Sequence, residues 1–414
     1  MLKTYFKREQ TRTTYAAGPA GPYLDDFSHW LEKRGFTTRT IRHCLFGATQ
    51  YAVWAEAIGV PVQDLDATIL DAFRDDLAKH GQLRYVSGNP TARCMGAHHF
   101  LTFLSAQGIV SASVVTTPSP APPPLLTEFQ HWMGVHRGVT EQTLRNYRPI
   151  LLDLLTTLGN RPEHLEAKGL RAFILDRAHR HGKGKAKNVV TATRMFVRFL
   201  IASGRCAPGL DDAIPTIAMW RLATLPQYLP TEDVERIITA CDPSIPLGAR
   251  DQAIILLMAR LGLRGSDIVG LRFTDINWQD ATLVVAGKSR RETRLPLPQD
   301  VGDALLHYLE YARPPVDINC VFITSIAPWG PLSRSVIRQT AARAIRRAGI
   351  SAPTAGARVF RHSAATTMLR QGASLQTIGD ILRHTSIDTS AHYAKVDIAL
   401  LHHVARPWPE VTLC

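Results

Sequence analysis

An internal repeat in the first half of the chain constrains the fold more than any other feature. Five short blocks occur twice in the same order: 27–30 resembles 129–132, 34–37 resembles 137–140, 40–42 resembles 143–145, 70–73 resembles 170–173, and 103–108 resembles 199–204. Apolar residues around these blocks lie three and four positions apart, which is the spacing of one face of an α-helix. We therefore predict two copies of a small helical domain.

Proline-rich segments mark the predicted domain boundaries. Residues 111–124 (SASVVTTPSPAPPP) cannot sustain a helix because proline lacks a backbone N–H, and a second segment rich in proline follows the second copy. A chain of 414 residues is also too long for a single core. We predict an N-terminal helical domain (1–110) whose first twenty residues are a flexible basic lead, a linker (111–124), a second helical domain (125–206), a linker (207–225), a C-terminal domain (226–407) and a tail (408–414).

The charge of the chain favours a polyanionic partner. The net charge is +13, which points to nucleic acid first and an anionic membrane second. In the second helical copy, glycines and lysines alternate ahead of the last predicted helix, whereas the first copy lacks such a run. Glycines allow a close backbone approach and lysines can neutralise phosphates. We predict that this run contacts DNA through Lys183, Lys185 and Lys187. The alternative is that it forms a solvated loop.

Other patterns bear on location and on cofactors. The sequence has no run of about eighteen apolar residues, and its first residues lack the apolar core of a secretory signal. The six cysteines are dispersed without a CxxC pair. No set of histidines, cysteines or carboxylates has the spacing of metal ligands. We predict a cytoplasmic, nucleoid-associated protein with reduced thiols, no membrane attachment and no metal or other cofactor.

Residues 226–407 are predicted to be mainly helical with one small β-hairpin. Thr231 is expected to cap a first helix, and an apolar helix over 252–261 is expected to end at Gly262. Two β-runs, 282–285 and 293–297, flank a basic segment, a pattern typical of a hairpin. A helix from Ser333 to about residue 348 carries arginines near one stripe, which we predict to face a DNA groove, the alternative being a solvated face. These arginines are Arg334, Arg338, Arg343 and Arg347.

Arginines, histidines and a tyrosine gather in the last part of the chain. Tyrosine is a weak nucleophile near neutral pH because its pKa is about 10, but Tyr393 becomes useful where cations surround a negatively charged electrophile. A phosphodiester is such an electrophile, and the guanidinium groups of Arg264 and Arg361 fit its nonbridging oxygens. His384 precedes Tyr393 by nine residues. The pattern indicates phosphodiester chemistry in which fixed cations take the place of a metal ion.

Five motifs in one order resemble the phage integrase family, the tyrosine recombinases. They are Gly262-Leu263-Arg264, Gly287-Lys288, Phe360-Arg361-His362-Ser363, Arg383-His384 and His392-Tyr393-Ala394. The resemblance implies a tyrosine recombinase catalytic domain at 226–407 and a core-binding domain at 125–206, with the first helical copy as an additional module. The implied fold is mainly α, with two SAM-like helical DNA-binding domains and a small β-sheet in the catalytic domain.

The resemblance also implies a role for each matched residue. Tyr393 would attack phosphorus and form a 3′-phosphotyrosyl DNA intermediate, while Lys288 would protonate the leaving 5′-hydroxyl. His384 would donate to a phosphate oxygen or help to move the tyrosine proton. Supporting roles would belong to Asp267, which orients the arginines, and to His362. Further DNA contacts would come from the hairpin and from the arginine-bearing helix, through Arg290, Arg291, Arg334 and Arg338.

Two positions depart from the family pattern. Arg358 stands where the family usually has histidine, three residues before Arg361. A guanidinium can bond a phosphate oxygen but cannot shuttle a proton near neutral pH, so that role would pass to His384 or His362. Arg383 stands where glycine is customary, and we expect it to alter how the segment that carries the nucleophile packs.

These observations predict a site-specific DNA recombinase, the integrase or transposase of a mobile element. It would act on double-stranded DNA as a homotetramer, without metal or ATP. One alternative is a nicking and closing enzyme similar to the type IB topoisomerases, which shares the chemistry but needs no second DNA. The other is a catalytically silent DNA-binding protein, which Arg358 favours. Residues 397–404 are predicted to form a short helix, which the resemblance implies docks on a neighbouring subunit, the alternative being a helix packed on its own domain.

Overall fold

The computed structural model describes residues 2–79, 90–111, 123–159, 162–218, 225–286, 292–354, 356–384 and 386–395. The chain forms two compact units, one of Met1–Val115 together with Thr224–Cys414 and one of Thr116–Ala223. The described part is mainly helical with one small antiparallel sheet, as the sequence predicts. Within these residues, none of the helices has the length and the hydrophobicity that crossing a membrane requires.

The N-terminal segment of the first unit is a helical bundle with an aromatic core. Phe27, Phe100 and Phe103 are fully or almost fully buried and pack against one another. The prediction of a flexible lead is wrong for the described residues before 20, because two helices form there and Tyr5 is buried. The helices are α1 (Leu2–Tyr5), α2 (Glu9–Ala17), α3 (Gly21–Lys33), α4 (Thr38–Ala57), α5 (Ala67–Lys79) and α6 (Pro90–Ala106).

The second unit repeats the last four of these helices around its own core. Phe129 occupies the place of Phe27 and is likewise fully buried. The lysine-rich run does not precede the last helix, as we predicted, because that helix begins at Lys183 and the lysines lie in its first turns. The helices are α7 (Pro124–Arg137), α8 (Glu141–Leu158), α9 (Ala167–Arg180) and α10 (Lys183–Ala202).

The C-terminal segment builds a separate core around helix α12 (Pro246–Arg260). This helix is apolar on most of its faces and buries eleven residues, which makes it the centre of the core. It begins six residues earlier than we predicted, with Pro246 in its first turn. The remaining helices are α11 (Thr231–Thr239), α13 (Gly265–Gly270), α14 (Gln299–His307), α15 (Arg334–Arg347), α16 (Arg358–Arg370), α17 (Leu375–Leu382) and α18 (Ile387–Ala394).

A three-stranded sheet covers one side of this core. Strands β1 (Ile276–Asn277), β2 (Thr282–Ala286) and β3 (Glu292–Pro296) pair antiparallel in chain order, with Leu283 opposite Leu295. The predicted hairpin is confirmed in its two strands. The tip that carries Lys288, Arg290 and Arg291 lies outside the described residues.

Within the first unit, the N-terminal bundle contacts the C-terminal segment through a tryptophan and a glycine turn. The Trp329 backbone N–H donates to the Arg34 carbonyl oxygen at 2.9 Å. Gly35 has φ of 85°, and a Cβ there would lie 2.1 Å from the Trp329 indole, so only glycine permits this contact. The equivalent Gly138 of the second unit faces no described atom within 4 Å. The two copies share a turn but differ in what it contacts.

Candidate active site

Tyr393 lies on α18 inside the C-terminal segment that carries the arginines. Its side chain is 2% exposed and packs against Ala365, Ile378 and Leu382. Its hydroxyl is 3.0 Å from His362 Nδ1. Burial raises the pKa of the phenol, while the nearby guanidinium groups of Arg361, Arg358 and Arg264 act to lower it. The tyrosine is therefore protonated near neutral pH and needs a proton acceptor before it can act as a nucleophile.

Two histidines flank the tyrosine in different ways. His384 follows the end of α17, its ring stacks almost parallel to that of Tyr393, and its Nδ1 is 2.8 Å from Ser390 Oγ. His362 lies on α16 and meets the hydroxyl directly. Burial, followed by nearby positive charges, lowers the pKa of each histidine to about 4. Both rings are therefore neutral at pH 7 in the DNA-free protein.

Arg361 is a buried cation that joins two loops of the site. It is 8% exposed, its Nη1 donates to the Gly262 carbonyl oxygen at 2.6 Å, and its Nη2 donates to the Leu382 carbonyl oxygen. Gly262 has φ of 59° and sits against Leu382, which explains why α12 must stop there before Arg264. Burial, with the neighbouring Arg264 charge, lowers the pKa of Arg361 to about 10. Both Arg361 and Arg264 remain cationic at neutral pH.

The arginine that replaces the customary glycine has a defined place. Arg383 adopts the left-handed conformation, with φ of 55°, and ends α17. Its guanidinium forms an ion pair with Asp267, and both side chains are about 5% exposed. Asp267 also accepts from the backbone N–H of Arg264 at 2.9 Å, and Arg264 Nη2 donates to the Arg383 carbonyl oxygen at 3.3 Å. Asp267 thus connects the two segments that carry Arg264 and His384.

Arg358 stands apart from this buried set. It is the first residue of α16, it is exposed, and it precedes His362 by one helical turn. Its charge is the largest electrostatic contribution, after burial, to the lowered pKa of His362. The structure therefore places Arg358 where its charge acts on both His362 and Tyr393.

The other predicted DNA-contact residues are either exposed or outside the described part of the chain. Lys183, Lys185 and Lys187 are exposed at the start of α10 in the second unit, and Arg334 and Arg338 are exposed on α15. The hairpin residues Lys288, Arg290 and Arg291 fall outside the described part of the chain, as does the predicted helix over 397–404.

The stripe of four arginines on α15 is not a uniform surface. Arg343 donates to the fully buried Asp251 at 2.6 Å, and Thr340 also meets this carboxylate. Arg343 therefore has a structural partner, which it shares with the buried Arg250, and this the prediction of a groove-facing stripe did not include. Sequence periodicity places residues on a face but does not reveal a partner from a distant helix.

Sequence reasoning missed Ser390. This residue is fully buried on α18 and bonds His384 Nδ1, which fixes the orientation of the imidazole. The signal was available, since Ser390 precedes Tyr393 by three residues and such residues share one helical face.

Comparisons with known proteins place this geometry in a family. Residues 227–399 match the phage integrase family. The chain is 33% identical over 398 residues to integrase/recombinase y4rA of Sinorhizobium fredii, covering 95% of each protein. It is 28% identical to tyrosine recombinase XerD of Listeria innocua, covering 66% of this chain and 94% of that protein.

A solved structure shares the fold. The crystal structure of a lambda integrase (75–356) dimer bound to a COC′ core site aligns with a TM-score of 0.54 at 17% identity, covering 70% of this chain and 98% of that chain. Together with the near full-length relative, the family match identifies the protein. The chain belongs to the phage integrase family, the tyrosine recombinases, and its activity is site-specific DNA recombination.

Proposed function

We propose that this recombinase cuts and rejoins double-stranded DNA through a covalent bond between Tyr393 and a 3′-phosphate. The observation that carries the proposal is the buried tyrosine hydroxyl, which a histidine meets within a pocket formed by two arginines and a second histidine. The tyrosine oxygen attacks phosphorus, and the bond to the 5′-oxygen breaks. Because the phosphotyrosine conserves the ester bond, a 5′-hydroxyl from a second strand can reverse the step without ATP.

Electrostatics support this chemistry. Charge grows on the nonbridging oxygens as the tyrosine attacks, and guanidinium groups in a pocket of low water content stabilise that charge strongly. Arg264 and Arg361 are assigned to those oxygens, and His384, oriented by Ser390, donates a further hydrogen bond. Arg358 adds a contact to the phosphate from the mouth of the site. Asp267 supports the set by holding Arg383 and the start of α13.

The leaving 5′-oxygen needs a proton, and we assign that proton to Lys288 of the hairpin between β2 and β3. An ammonium group is a suitable acid for an alkoxide. Arg290 and Arg291 on the same tip are assigned to neighbouring phosphates. The assignment rests on the motif Gly287-Lys288.

DNA affinity is assigned to cations outside the pocket. The exposed lysines at the start of α10 and the exposed arginines of α15 neutralise phosphates. In this proposal residues 125–206 are the core-binding domain and 226–407 the catalytic domain, and the protein acts in the cytoplasm, at the nucleoid. Four copies assemble on two DNA sites of a mobile element.

Covalent capture from cells tests this function before the target site is known. Cells that express the wild type or Tyr393→Phe are lysed under denaturing conditions, and the DNA that stays bound to the protein is sequenced. We expect adducts from the wild type only, with junctions that converge on one short sequence. Adducts spread over the genome would favour nicking and closing like a topoisomerase, and the absence of adducts would favour a silent DNA-binding protein.

A further inference from the structure

The proton of Tyr393 must leave as the phosphotyrosyl bond forms, and the family's usual histidine for this neighbourhood is replaced by Arg358. Arginine is charged at every working pH and has no lone pair to offer, so Arg264, Arg358 and Arg361 cannot accept the proton. The acceptor must be sought among the other groups that face the phenol.

Among the described residues, three histidines lie around the tyrosine ring, and one of these is bonded to its oxygen. His362 Nδ1 is 3.0 Å from the hydroxyl. His384 uses its Nδ1 on Ser390 and stacks flat against the ring instead of meeting the oxygen. The His392 ring lies 6.1 Å from the phenol ring, and its Nδ1 is buried without a hydrogen-bond partner among the described residues.

We propose that His362 is the catalytic base of this recombinase, accepting the Tyr393 proton on Nδ1 during cleavage and returning it during rejoining. The inference rests on the proposed function. In cleavage the O–H bond of Tyr393 breaks, its proton moves to His362, a bond forms between the tyrosine oxygen and phosphorus, and the 5′-oxygen leaves with a proton from Lys288. In rejoining, a 5′-hydroxyl gives its proton to Lys288 and its oxygen bonds phosphorus, while the bond between phosphorus and Tyr393 breaks and the His362 imidazolium protonates the departing phenolate.

The surroundings of His362 keep it ready for this role. Arg358 and Arg361 face it from α16, Tyr393 and His392 from α18, and His384 from the end of α17. Burial and these positive charges lower the pKa of His362 to about 4, so the ring is neutral at pH 7 but only weakly basic in the DNA-free protein. A bound phosphodiester adds negative charge beside it, which stabilises the imidazolium at the moment of transfer.

The first test compares His362→Asn with the wild type on a nicked DNA duplex that carries the captured site. Asparagine keeps a hydrogen-bonding group near the position of Nδ1 but cannot hold the transferred proton. We expect the single-turnover rate of adduct formation to fall about 100-fold with unchanged DNA affinity, which is within the usual range for a general base. The wild-type rate should decline as the pH falls through the His362 pKa of the DNA complex, and the variant should lose that decline.

The second test separates proton transfer from packing. A fluorinated tyrosine at position 393 has a lower phenol pKa and needs the base less, so it should restore most of the rate in His362→Asn. It should not restore His384→Asn, in which a phosphate contact is lost. His307→Asn, at a half-buried histidine bonded to the Pro243 carbonyl and remote in sequence from the site motifs, is the control that should match the wild type.

The outcomes distinguish this inference from the proposed function. A wild-type rate and pH profile in His362→Asn would overturn the base assignment, and so would a slow variant that the fluorinated tyrosine fails to restore. If the Asn variant unfolds at a lower temperature than the wild type, His362→Gln is measured in the same way. An absence of adduct from the wild type itself would instead overturn the proposed function.

Discussion

Positive charge is arranged in opposite ways around Tyr393 and along helix α10. In the pocket, Arg361 and Arg383 are almost completely buried and each is held by neighbouring backbone or carboxylate oxygens. At the start of α10, three lysines are exposed. Buried, fixed cations act strongly on charge that develops close to them, whereas exposed cations attract DNA through counterion release and are screened by salt. The difference suggests that one region serves reaction rate and the other affinity.

The largest effect should follow from removing a buried cation. We expect Arg361→Ala to slow adduct formation by about 1000-fold, because one preorganised donor for a developing oxyanion is worth about that factor. DNA affinity should change little, since the exposed cations remain. Single-turnover kinetics at saturating DNA measure the rate, with Arg370→Ala, at the opposite end of α16, as the control. A reduction in rate of less than tenfold would show that Arg361 does not stabilise the reacting phosphate.

The ion pair beneath the site should affect stability as well as rate. Asp267→Ala leaves the Arg383 guanidinium buried without its carboxylate, which costs about 3 kcal/mol of unfolding free energy. Combining Asp267→Ala with Arg383→Gly removes both the unpaired buried charge and the arginine in the left-handed conformation. This double variant should therefore recover much of the lost unfolding free energy. Urea unfolding measures the wild type, the two single variants and the double variant. If the effects of the two changes simply add, the pair does not couple the two segments.

The exposed lysines should act on affinity alone. Replacing Lys183, Lys185 and Lys187 by glutamine should weaken DNA binding, and the slope of log affinity against log salt should fall by about 2.7, or about 0.9 for each lost phosphate contact. At saturating DNA the rate of adduct formation should stay at the wild-type value. Lys168→Gln, an exposed lysine of α9, is the matched control. An unchanged salt slope would show that α10 does not contact phosphates.

The smallest effects are expected from changes at two arginines of α15, one exposed and one paired with a buried carboxylate. Arg338→Gln should reduce the salt slope by about 0.9 and leave the unfolding free energy unchanged, because the residue is exposed. Arg343→Gln should do the reverse, since it removes one of the two arginines that pair with the buried Asp251 and leaves only Arg250. Filter binding and urea unfolding of both variants check this. Equal effects of the two changes on DNA binding would indicate that the whole stripe faces DNA.

Sequence patterns predicted the parts of the fold that depend on neighbours along the chain. The spacing of apolar residues located the helices of both copies, Ser333 was recognised as the cap of α15, and alternating β-formers gave the strands on each side of the hairpin. The predictions are wrong where a tertiary contact determines the local structure. Tyr5 is buried by the bundle, so the lead folds into helices that its composition did not reveal.

The candidate site likewise contains residues that local motifs identify and contacts that such motifs do not predict. Motifs selected Arg264, Arg361 and Tyr393, and the structure brings these side chains into one pocket. The pairing of Arg383 with Asp267 joins residues 116 positions apart, and the contact of Trp329 with Gly35 joins two predicted domains. No local pattern encodes such partners, because they follow from how helices pack.

The most direct test of the central claim is the chemical identity of the protein–DNA bond. The wild type and Tyr393→Phe are incubated with a duplex nicked beside the captured site, and the covalent product is digested and analysed by mass spectrometry. The account predicts a single phosphotyrosine at Tyr393, linked to the 3′-end of the cut strand, and no adduct from Tyr393→Phe. An adduct from the phenylalanine variant, or a bond to any other residue, would contradict it.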